Sequence, residues 1–196
     1  FANPAITARI VLMLSFATPM TTWPLPKQIL EASDAVTGPT PLGIMNMGGN
    51  ISELPSKIDM FLGFTGGCLG ETSAIALLIG GLYLIGRKVI EPTIPVVYIG
   101  TVFIIALIAG QDPVFHVLAG GLMLGAFFMA TDYATSPLTT KGKIVYAIGC
   151  GILTMIIRLF GALPEGVSFS ILLMNILTPH IDNLSRRKIY GGGGKK

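Results

Sequence analysis

The sequence has 196 residues, of which 52% are hydrophobic and only 12% are charged, and its mean hydropathy is +0.73. Soluble domains carry roughly 25% charged residues, so this composition excludes an ordinary water-exposed surface and indicates a membrane protein. The formal net charge is +3. The basic residues lie at the ends of apolar segments, which favours topology signals over nucleic-acid binding.

Six apolar segments approach the roughly 20 residues that a transmembrane helix needs, and they predict an all-α, polytopic membrane protein. Their approximate bounds are 4–22, 71–86, 94–110, 113–131, 143–160 and 166–181. Residues 1–184 then form a single transmembrane domain, in which the polar and glycine-rich stretch 23–70 is a large outer loop. Residues 185–196 form a basic tail.

Several segment ends carry recognisable signals. Gly110 is expected to stop the third helix. The pair Asp112–Pro113 is typical of an N-cap followed by proline at the first helical position, and it should open the fourth helix. The chain begins at Phe1 without methionine or a charged leader, so we interpret it as an internal piece of a longer protein.

The distribution of basic residues predicts the orientation. If the C-terminus is cytoplasmic and all six segments span the membrane, most of the 13 lysines and arginines, Arg9 among them, fall on the inner side. Lys27, Lys57 and Arg158 fall on the outer side. The 23–70 loop, which contains Thr40, is therefore predicted to face outward.

The two cysteines, Cys68 and Cys150, match no metal-binding spacing. We expect two free thiols in or near packed helices and no metal site. No dinucleotide-binding fingerprint is present in the sequence, so binding of NAD by this chain is not expected.

Residues 34–40 form a polar, turn-prone heptapeptide, Asp-Ala-Val-Thr-Gly-Pro-Thr. Gly38–Pro39 favours a turn, and the hydroxyls of Thr37 and Thr40 can bond the local backbone. From spacing alone two interpretations stay open. The segment is either an ordinary surface loop or a recognition loop in which an enzyme esterifies the last hydroxyl.

The pattern Asp-x-x-Thr-Gly-x-Thr resembles the motif at which a flavin transferase attaches FMN, through its phosphate, to the final threonine. Pro39 stands where that motif usually has alanine. The flanking motifs that match the same family are Asn3-Pro4-Ala5, Trp23-Pro24, Thr40-Pro41-Leu42, Gly70-Glu71-Thr72-Ser73, the run from Gly120 to Asp132, and Arg158-x-x-Gly161-x-x-Pro164-Glu165-Gly166. Over nearly its whole length the chain resembles the D subunits of Rnf electron-transport complexes. The paralogous B subunits of sodium-translocating NADH:quinone oxidoreductases are the second resemblance.

The resemblance implies a ten-helix architecture of two inverted repeats, part of which this chain holds. It implies covalent FMN on Thr40 at the outer face, with Asp34, Thr37 and Gly38 shaping the loop. A second, non-covalent flavin stays open. The protein would carry electrons within an ion-translocating ferredoxin:NAD oxidoreductase of a bacterial or archaeal cytoplasmic membrane and would supply no catalytic side chain of its own.

The resemblance also implies the partners. They are membrane subunits of the A, E and G type, cytoplasmic subunits of the B and C type, the lipid bilayer and a flavin transferase, with no nucleic acid. Two other functional classes stay open for this fold: a transporter or channel without redox chemistry, and a structural anchor for a complex.

Four polar residues within or beside the apolar segments have two interpretations each. Arg158 either extends its charge to the membrane surface or neutralises the FMN phosphate. Asp132 is either solvated or part of an ion or flavin site. His116 and Asn175 are either helix–helix hydrogen bonders or functional groups.

Glycines recur inside the apolar segments, as Gly80–Gly81, Gly121-x-x-x-Gly125 and Gly149-x-Gly151. Such residues predict close helix packing. The alternative is that they make room for a flat ligand ring.

Overall fold

A computed structural model describes residues 2–24, 37–46, 54–68, 70–161 and 166–185. Within these residues the fold is helical apart from one two-residue antiparallel β-pairing. The helices are α1 (Pro4–Ser15), α2 (Ala17–Thr21), α3 (Pro41–Asn46), α4 (Lys57–Leu62), α5 (Ala74–Gly86), α6 (Thr93–Ile108), α7 (Pro113–Leu118), α8 (Leu122–Leu124), α9 (Thr140–Phe160) and α10 (Val167–Ser185). The strands are β1 (Trp23–Pro24) and β2 (Thr37–Gly38), and a π-helical turn, Gly125–Met129, continues α8.

Helices occupy all six predicted segments. Among the described residues, one helix, α9, is long and apolar enough by length and composition to cross a membrane. Helices α1, α5 and α6 are apolar but shorter. The all-α class is confirmed, whereas the number of membrane crossings stays a prediction.

The prediction of a continuous first helix is wrong, because the helix breaks at Phe16, between α1 and α2. Pro19 explains the break, since its nitrogen cannot donate to the carbonyl four residues earlier, at Ser15.

The prediction of a continuous fourth helix is also wrong. Helix α7 ends at Leu118, Ala119 is extended with ψ 136°, and Gly120 has φ +65°. A left-handed conformation at Gly120 is cheap because glycine has no Cβ. The second half resumes as α8 and the π-helical turn, so the fourth segment is a broken helix.

The predicted boundary signals are largely confirmed. The Asp112 Oδ1 accepts hydrogen bonds from the backbone nitrogens of Val114 at 3.1 Å and Phe115 at 3.3 Å, and so caps α7. Gly110 follows α6 with φ +70°. Helix α9 begins earlier than predicted because the Thr139 hydroxyl caps it, accepting from the nitrogen of Gly142 at 3.0 Å.

Helices α6, α9 and α10 form the main core, with two fully buried tyrosines at its centre. The Tyr98 hydroxyl lies 2.7 Å from Thr154 Oγ1 and 3.2 Å from Ser170 Oγ. The Tyr146 hydroxyl donates to Asn175 Oδ1 at 2.7 Å. Asn175 is therefore confirmed as a helix–helix hydrogen bonder, one that joins α9 to α10.

Large apolar side chains also cover the outside of the helices. Examples are Leu107 and Ile108 on α6 and Ile156 on α9, which are 62%, 79% and 49% exposed. Apolar surface on this scale is typical of helices that face lipid or a partner.

The glycines of the apolar segments contact neighbouring side chains. A Cβ on Gly81 would lie 2.4 Å from Phe127, one on Gly125 2.4 Å from Val167, and one on Gly149 2.5 Å from Met174. The space beside these glycines is filled by protein, so the prediction of close packing is confirmed over that of a ligand ring.

We predict that Gly151→Ala destabilises the fold by about 1–3 kcal/mol, the usual cost of overpacking. Its added Cβ would lie 2.6 Å from Thr101 Cβ and 3.4 Å from the Tyr98 carbonyl, so α6 would have to move away from α9. Denaturant unfolding of the purified protein in detergent measures the loss.

The matched control is Gly100→Ala on α6, where an added Cβ meets no atom within 4 Å. Because alanine has the higher helix propensity, that variant should be neutral or slightly stabilised. Equal unfolding midpoints for the two variants would contradict the prediction.

Candidate functional site

A second, smaller apolar cluster lies beside the main core and holds the segment around Thr40. Leu42 of α3, Met60 of α4 and Phe115 of α7 are buried in it together with Ala119. The predicted outer loop thus contains two short helices that pack onto the first half of the broken helix.

Thr40 caps α3. Its Oγ1 accepts a hydrogen bond from the nitrogen of Gly43 at 3.2 Å, and its carbonyl accepts from the nitrogen of Ile44 at 3.0 Å. Pro41 follows at the first helical position, where its missing N–H costs nothing. Thr40 is only 7% exposed, so its hydroxyl is buried rather than presented on an open turn.

The heptapeptide is partly described. Gly38 pairs with Trp23, and Thr37 pairs with Pro24, which fixes the backbone two residues before Thr40. Asp34, predicted to help shape the loop, lies outside the described residues.

Thr40 lines a small cavity of about 20 Å³. A cavity needs roughly 10–15 Å³ of such volume to hold one water molecule, so this one has room for about one. Its other walls come from the segment that precedes α5 and from the break in the fourth helix. The residues of these walls include Thr65, Gly66, Gly67, Glu71, Thr72, Ala119 and Gly120.

A buried ion pair forms one side of the cavity. Arg9 Nη2 of α1 lies 3.2 Å from Glu71 Oε2, and the two side chains are 17% and 3% exposed. Gly121 lets the carboxylate approach, since a Cβ there would lie 2.8 Å from Glu71 Oε2. Arg9 thus pairs with a carboxylate inside the protein, and the side of the membrane on which it lies stays a prediction.

Arg158 reaches the break in the fourth helix from α9. Its Nη1 donates to the His116 carbonyl at 2.5 Å, and its Nη2 donates to the Ala119 carbonyl at 3.0 Å. These carbonyls belong to the end of α7, where no helical N–H reaches them. At 3% exposure Arg158 does not extend to the surface, so that interpretation is wrong. It lies behind the cavity wall that Ala119 forms.

The other two polar candidates have local contacts. The ring nitrogens of His116 have no hydrogen-bond partner among the described residues, and the ring packs edge-on against Phe115 at 5.6 Å. The Asp132 carboxylate accepts from Ala134 N at 3.2 Å and Thr135 Oγ1 at 3.1 Å, and Asn3 Nδ2 lies 3.4 Å from it. Asp132 thus holds a turn beside the start of α1.

Sequence reasoning missed the Arg9–Glu71 pair and the break. Arg9 inside an apolar segment was the available signal, since a charge at that position needs a buried partner. Gly120–Gly121 marks the break, but the same glycines are also compatible with a continuous packed helix.

A family profile described as "NQR2, RnfD, RnfE family" matches residues 1–191. The chain belongs to this family. A relative from Acetobacterium woodii, named as the D subunit of the Na(+)-translocating ferredoxin:NAD(+) oxidoreductase complex, is 52% identical over 97% of this chain and 59% of its own length. One from Clostridium ljungdahlii, named as the D subunit of the proton-translocating ferredoxin:NAD(+) oxidoreductase complex, is 49% identical over 96% of this chain and 61% of its own.

A third relative, from Stutzerimonas stutzeri, is named as the D subunit of an ion-translocating oxidoreductase complex. It is 39% identical over 96% of this chain and 63% of its own length. This member of the NQR2, RnfD, RnfE family thus spans about three fifths of the length of these curated relatives. Members of the family are membrane proteins, which accounts for the apolar outer surfaces of α6 and α9.

We predict that Arg158→Leu destabilises this family member by about 2–5 kcal/mol, because it leaves two buried carbonyls at the end of α7 without donors. The matched control is Arg87→Leu, which removes an exposed arginine at the end of α5. Unfolding midpoints in detergent compare the two. Similar small losses in both variants would show that Arg158 does not hold the break.

The ion pair between Lys57 and Asp112 predicts that the stability of the fold depends on pH. Lys57 Nζ lies 2.5 Å from Asp112 Oδ2, and the hydrogen bond from this ammonium group holds the pKa of the carboxyl below its usual value. A carboxyl group whose pKa is lower in the folded state than in the unfolded state stabilises the fold at pH values above its unfolded-state pKa. This contribution is lost as the pH falls through its folded-state pKa.

The unfolding midpoint should therefore fall on acidification below about pH 4. The effect should be under about 1 kcal/mol because the pair is exposed. Asp112→Asn should lessen this part of the pH dependence. An unchanged pH profile in the variant would count against the pair.

Proposed function

We propose that this chain is part of a D subunit, a membrane subunit of an ion-translocating ferredoxin:NAD oxidoreductase complex of the Rnf type, and that it carries FMN covalently on Thr40. Membership of the family and the names of three relatives support the first part. The heptapeptide supports the second.

The observation that carries the flavin proposal is the position of Thr40. It is the last residue of the Asp-x-x-Thr-Gly-x-Thr pattern, and its hydroxyl lies at a cavity wall rather than at random on the surface. Of the two threonines in the pattern, Thr40 is the one that the resemblance selects.

Two guanidinium groups lie close to the cavity, and Glu71 offsets the charge of one of them, Arg9. The guanidinium group of Arg9 pairs with Glu71 at one wall, and that of Arg158 lies behind the wall that Ala119 forms. A phosphoester that joins FMN to Thr40 carries negative charge, which nearby guanidinium groups stabilise. We therefore retain Arg158 as a residue that stabilises the phosphate, now acting from behind the cavity wall.

The cavity is too small for the flavin ring. At about 20 Å³ it falls far below the roughly 300–1,000 Å³ of a small-molecule pocket. The cavity holds about one water molecule and the Glu71 carboxylate lines it, so the phosphate and the ring would both lie outside it. Because the Thr40 hydroxyl is buried, the transferase would act when residues 37–46 are displaced from the cluster around Met60.

When bound, FMN supplies the capacity to accept one or two electrons. This chain would hold the phosphate and fix the anchor point through the α3 cap. Electrons would come from another flavin-bearing protein of the complex at the outer face and leave toward the inner side. No side chain of this chain needs to act on ferredoxin or NAD, whose sites would lie on cytoplasmic subunits.

The two ends of the molecule suit the proposed orientation in a bacterial or archaeal cytoplasmic membrane. Helix α5 runs from the Thr40 cavity to Arg87–Lys88, and α9 begins beside Lys141 and Lys143 and ends near the cavity. Basic residues thus gather at the end opposite Thr40, as cytoplasmic ends do. Thr40 would face outward and the C-terminus inward.

The alternative is a B subunit of a sodium-translocating NADH:quinone oxidoreductase, which the family also embraces. Two of the three relatives are named as subunits of ferredoxin:NAD(+) oxidoreductase complexes, which favours the ferredoxin-linked complex. The two most similar of these three are named for different ions, Na+ and H+, at 52% and 49% identity. Overall similarity therefore does not select the ion.

We predict that the full-length protein, made in cells that have the transferase, migrates on a denaturing gel as a flavin-fluorescent band. Thr40→Val should abolish the band, because it removes the oxygen that forms the ester. Thr40→Ser should retain part of the fluorescence.

The control is Thr65→Val, which removes a hydroxyl at the same cavity but outside the heptapeptide. Its band should match the wild type. A fluorescent Thr40→Val variant would overturn the assignment by placing the flavin on another residue. A colourless wild-type protein would overturn it and favour a transporter or an anchor without flavin.

A further inference from the structure

A second cavity lies at the end of the molecule opposite Thr40. Its volume is about 220 Å³, and it is formed by the turn between α5 and α6, the turn before α9, and the first helical turns that follow. The residues that line it are Lys88, Val89, Ile90, Glu91, Ile94, Thr131, Tyr133, Ser136 and Lys143. The proposed function assigns it no role.

The charge of this cavity is positive. Lys143 Nζ pairs with Glu91 Oε2 at 2.7 Å, so these two charges offset each other. Lys88 is exposed, and its charge remains in excess across the cavity. Its backbone has φ +57°, which is uncommon for a residue other than glycine.

Hydroxyl groups line the same cavity. Thr131, Tyr133 and Ser136 come from the turn before α9, and Ser136 is only 8% exposed. Lysine ammonium groups together with hydroxyls are the usual ligands of a phosphate group. A volume of 220 Å³ leaves room for a phosphate and for the part of the molecule that bears it.

An apolar stripe leads away from the cavity. It begins beside Lys143 on α9 and repeats every fourth residue, as Ile144, Ile148, Ile152 and Ile156, which are 38%, 39%, 41% and 49% exposed. Residues four apart share one face of a helix. The stripe therefore extends over about three turns, or roughly 18 Å, from the cavity along the length of α9.

We propose that this cavity binds the phosphate of an anionic phospholipid, with an acyl chain lying along the isoleucine stripe of α9. A positive, hydroxyl-lined cavity at the start of a helix that carries an apolar face matches both halves of such a molecule. Basic pockets at the cytoplasmic side of membrane proteins attract anionic head groups. The proposal does not depend on the flavin at Thr40.

The experiment uses the full-length protein in detergent with dioleoyl phosphatidylglycerol or dioleoyl phosphatidylcholine as the probe, and it counts lipid adducts by native mass spectrometry. The wild type should retain phosphatidylglycerol over phosphatidylcholine. Lys88→Gln should weaken phosphatidylglycerol binding about fivefold, the factor that corresponds to ~1 kcal/mol per basic residue. Lys88→Gln breaks no described ion pair, so the variant should fold.

Two further variants make the test specific. Lys143→Gln should weaken binding more, because it removes one charge and leaves Glu91 unneutralised. Lys57→Gln is the control, since Lys57 is a surface lysine in an ion pair at the opposite end. Equal losses in Lys57→Gln and Lys88→Gln would overturn the proposal, because they would indicate general attraction to positive charge.

Inorganic phosphate distinguishes a lipid site from a site for a free anion. Millimolar phosphate should leave the phosphatidylglycerol adducts unchanged, because it makes no contact with the isoleucine stripe. Complete displacement by phosphate would overturn the lipid assignment. Ile148→Ser should reduce retention of phosphatidylglycerol, and unchanged retention would contradict the role of the stripe.

Discussion

The contact of Arg158 with the end of α7 is the constraint on which the candidate site depends. A helix that stops within an apolar domain leaves carbonyls without partners, and such groups are costly away from water. Arg158 supplies donors to two of them, at His116 and Ala119. The chain can then turn at Gly120, and that turn forms a wall of the Thr40 cavity.

The remaining walls depend on the same break. Because Gly120 and Gly121 carry no side chains, Leu42 can approach the first and the Glu71 carboxylate the second. Arg9 then balances Glu71 from α1. Two arginines on distant helices thus converge on one broken segment.

Much of the fold could be predicted from the sequence because apolar segments and their end signals are local. The Asp112–Pro113 start of α7 and the Gly110 stop after α6 are examples. The break at Ala119–Gly120 could not be predicted, because Gly121-x-x-x-Gly125 fits a continuous packed helix equally well. Gly125 does pack against Val167, whereas Gly121 makes room for a carboxylate. The difference between these two glycines depends on the position of Glu71, which lies 50 residues before Gly121 in the chain.

The candidate site was likewise predictable only in part. Thr40 could be selected because its neighbours in the sequence form a motif. The cavity that it lines also depends on Met60 and Ala119, which are distant in the sequence. Arg158 could be identified as a candidate site residue from its charge within an apolar segment. Its contacts with the carbonyls of His116 and Ala119 leave no pattern in the sequence.

Thr40 lies between two prolines, and this has a consequence for the chain before it folds. Pro39 and Pro41 each fix their own φ, and Pro41 also restricts Thr40 to extended conformations, which are those that an N-cap adopts. Gly43 leaves room for the first ring, since a Cβ there would lie 3.2 Å from Pro39 Cβ. The unfolded segment therefore samples fewer shapes, and ordering it costs less entropy than with alanine at position 39. In this chain, proline at that position pre-organises the backbone that carries the hydroxyl.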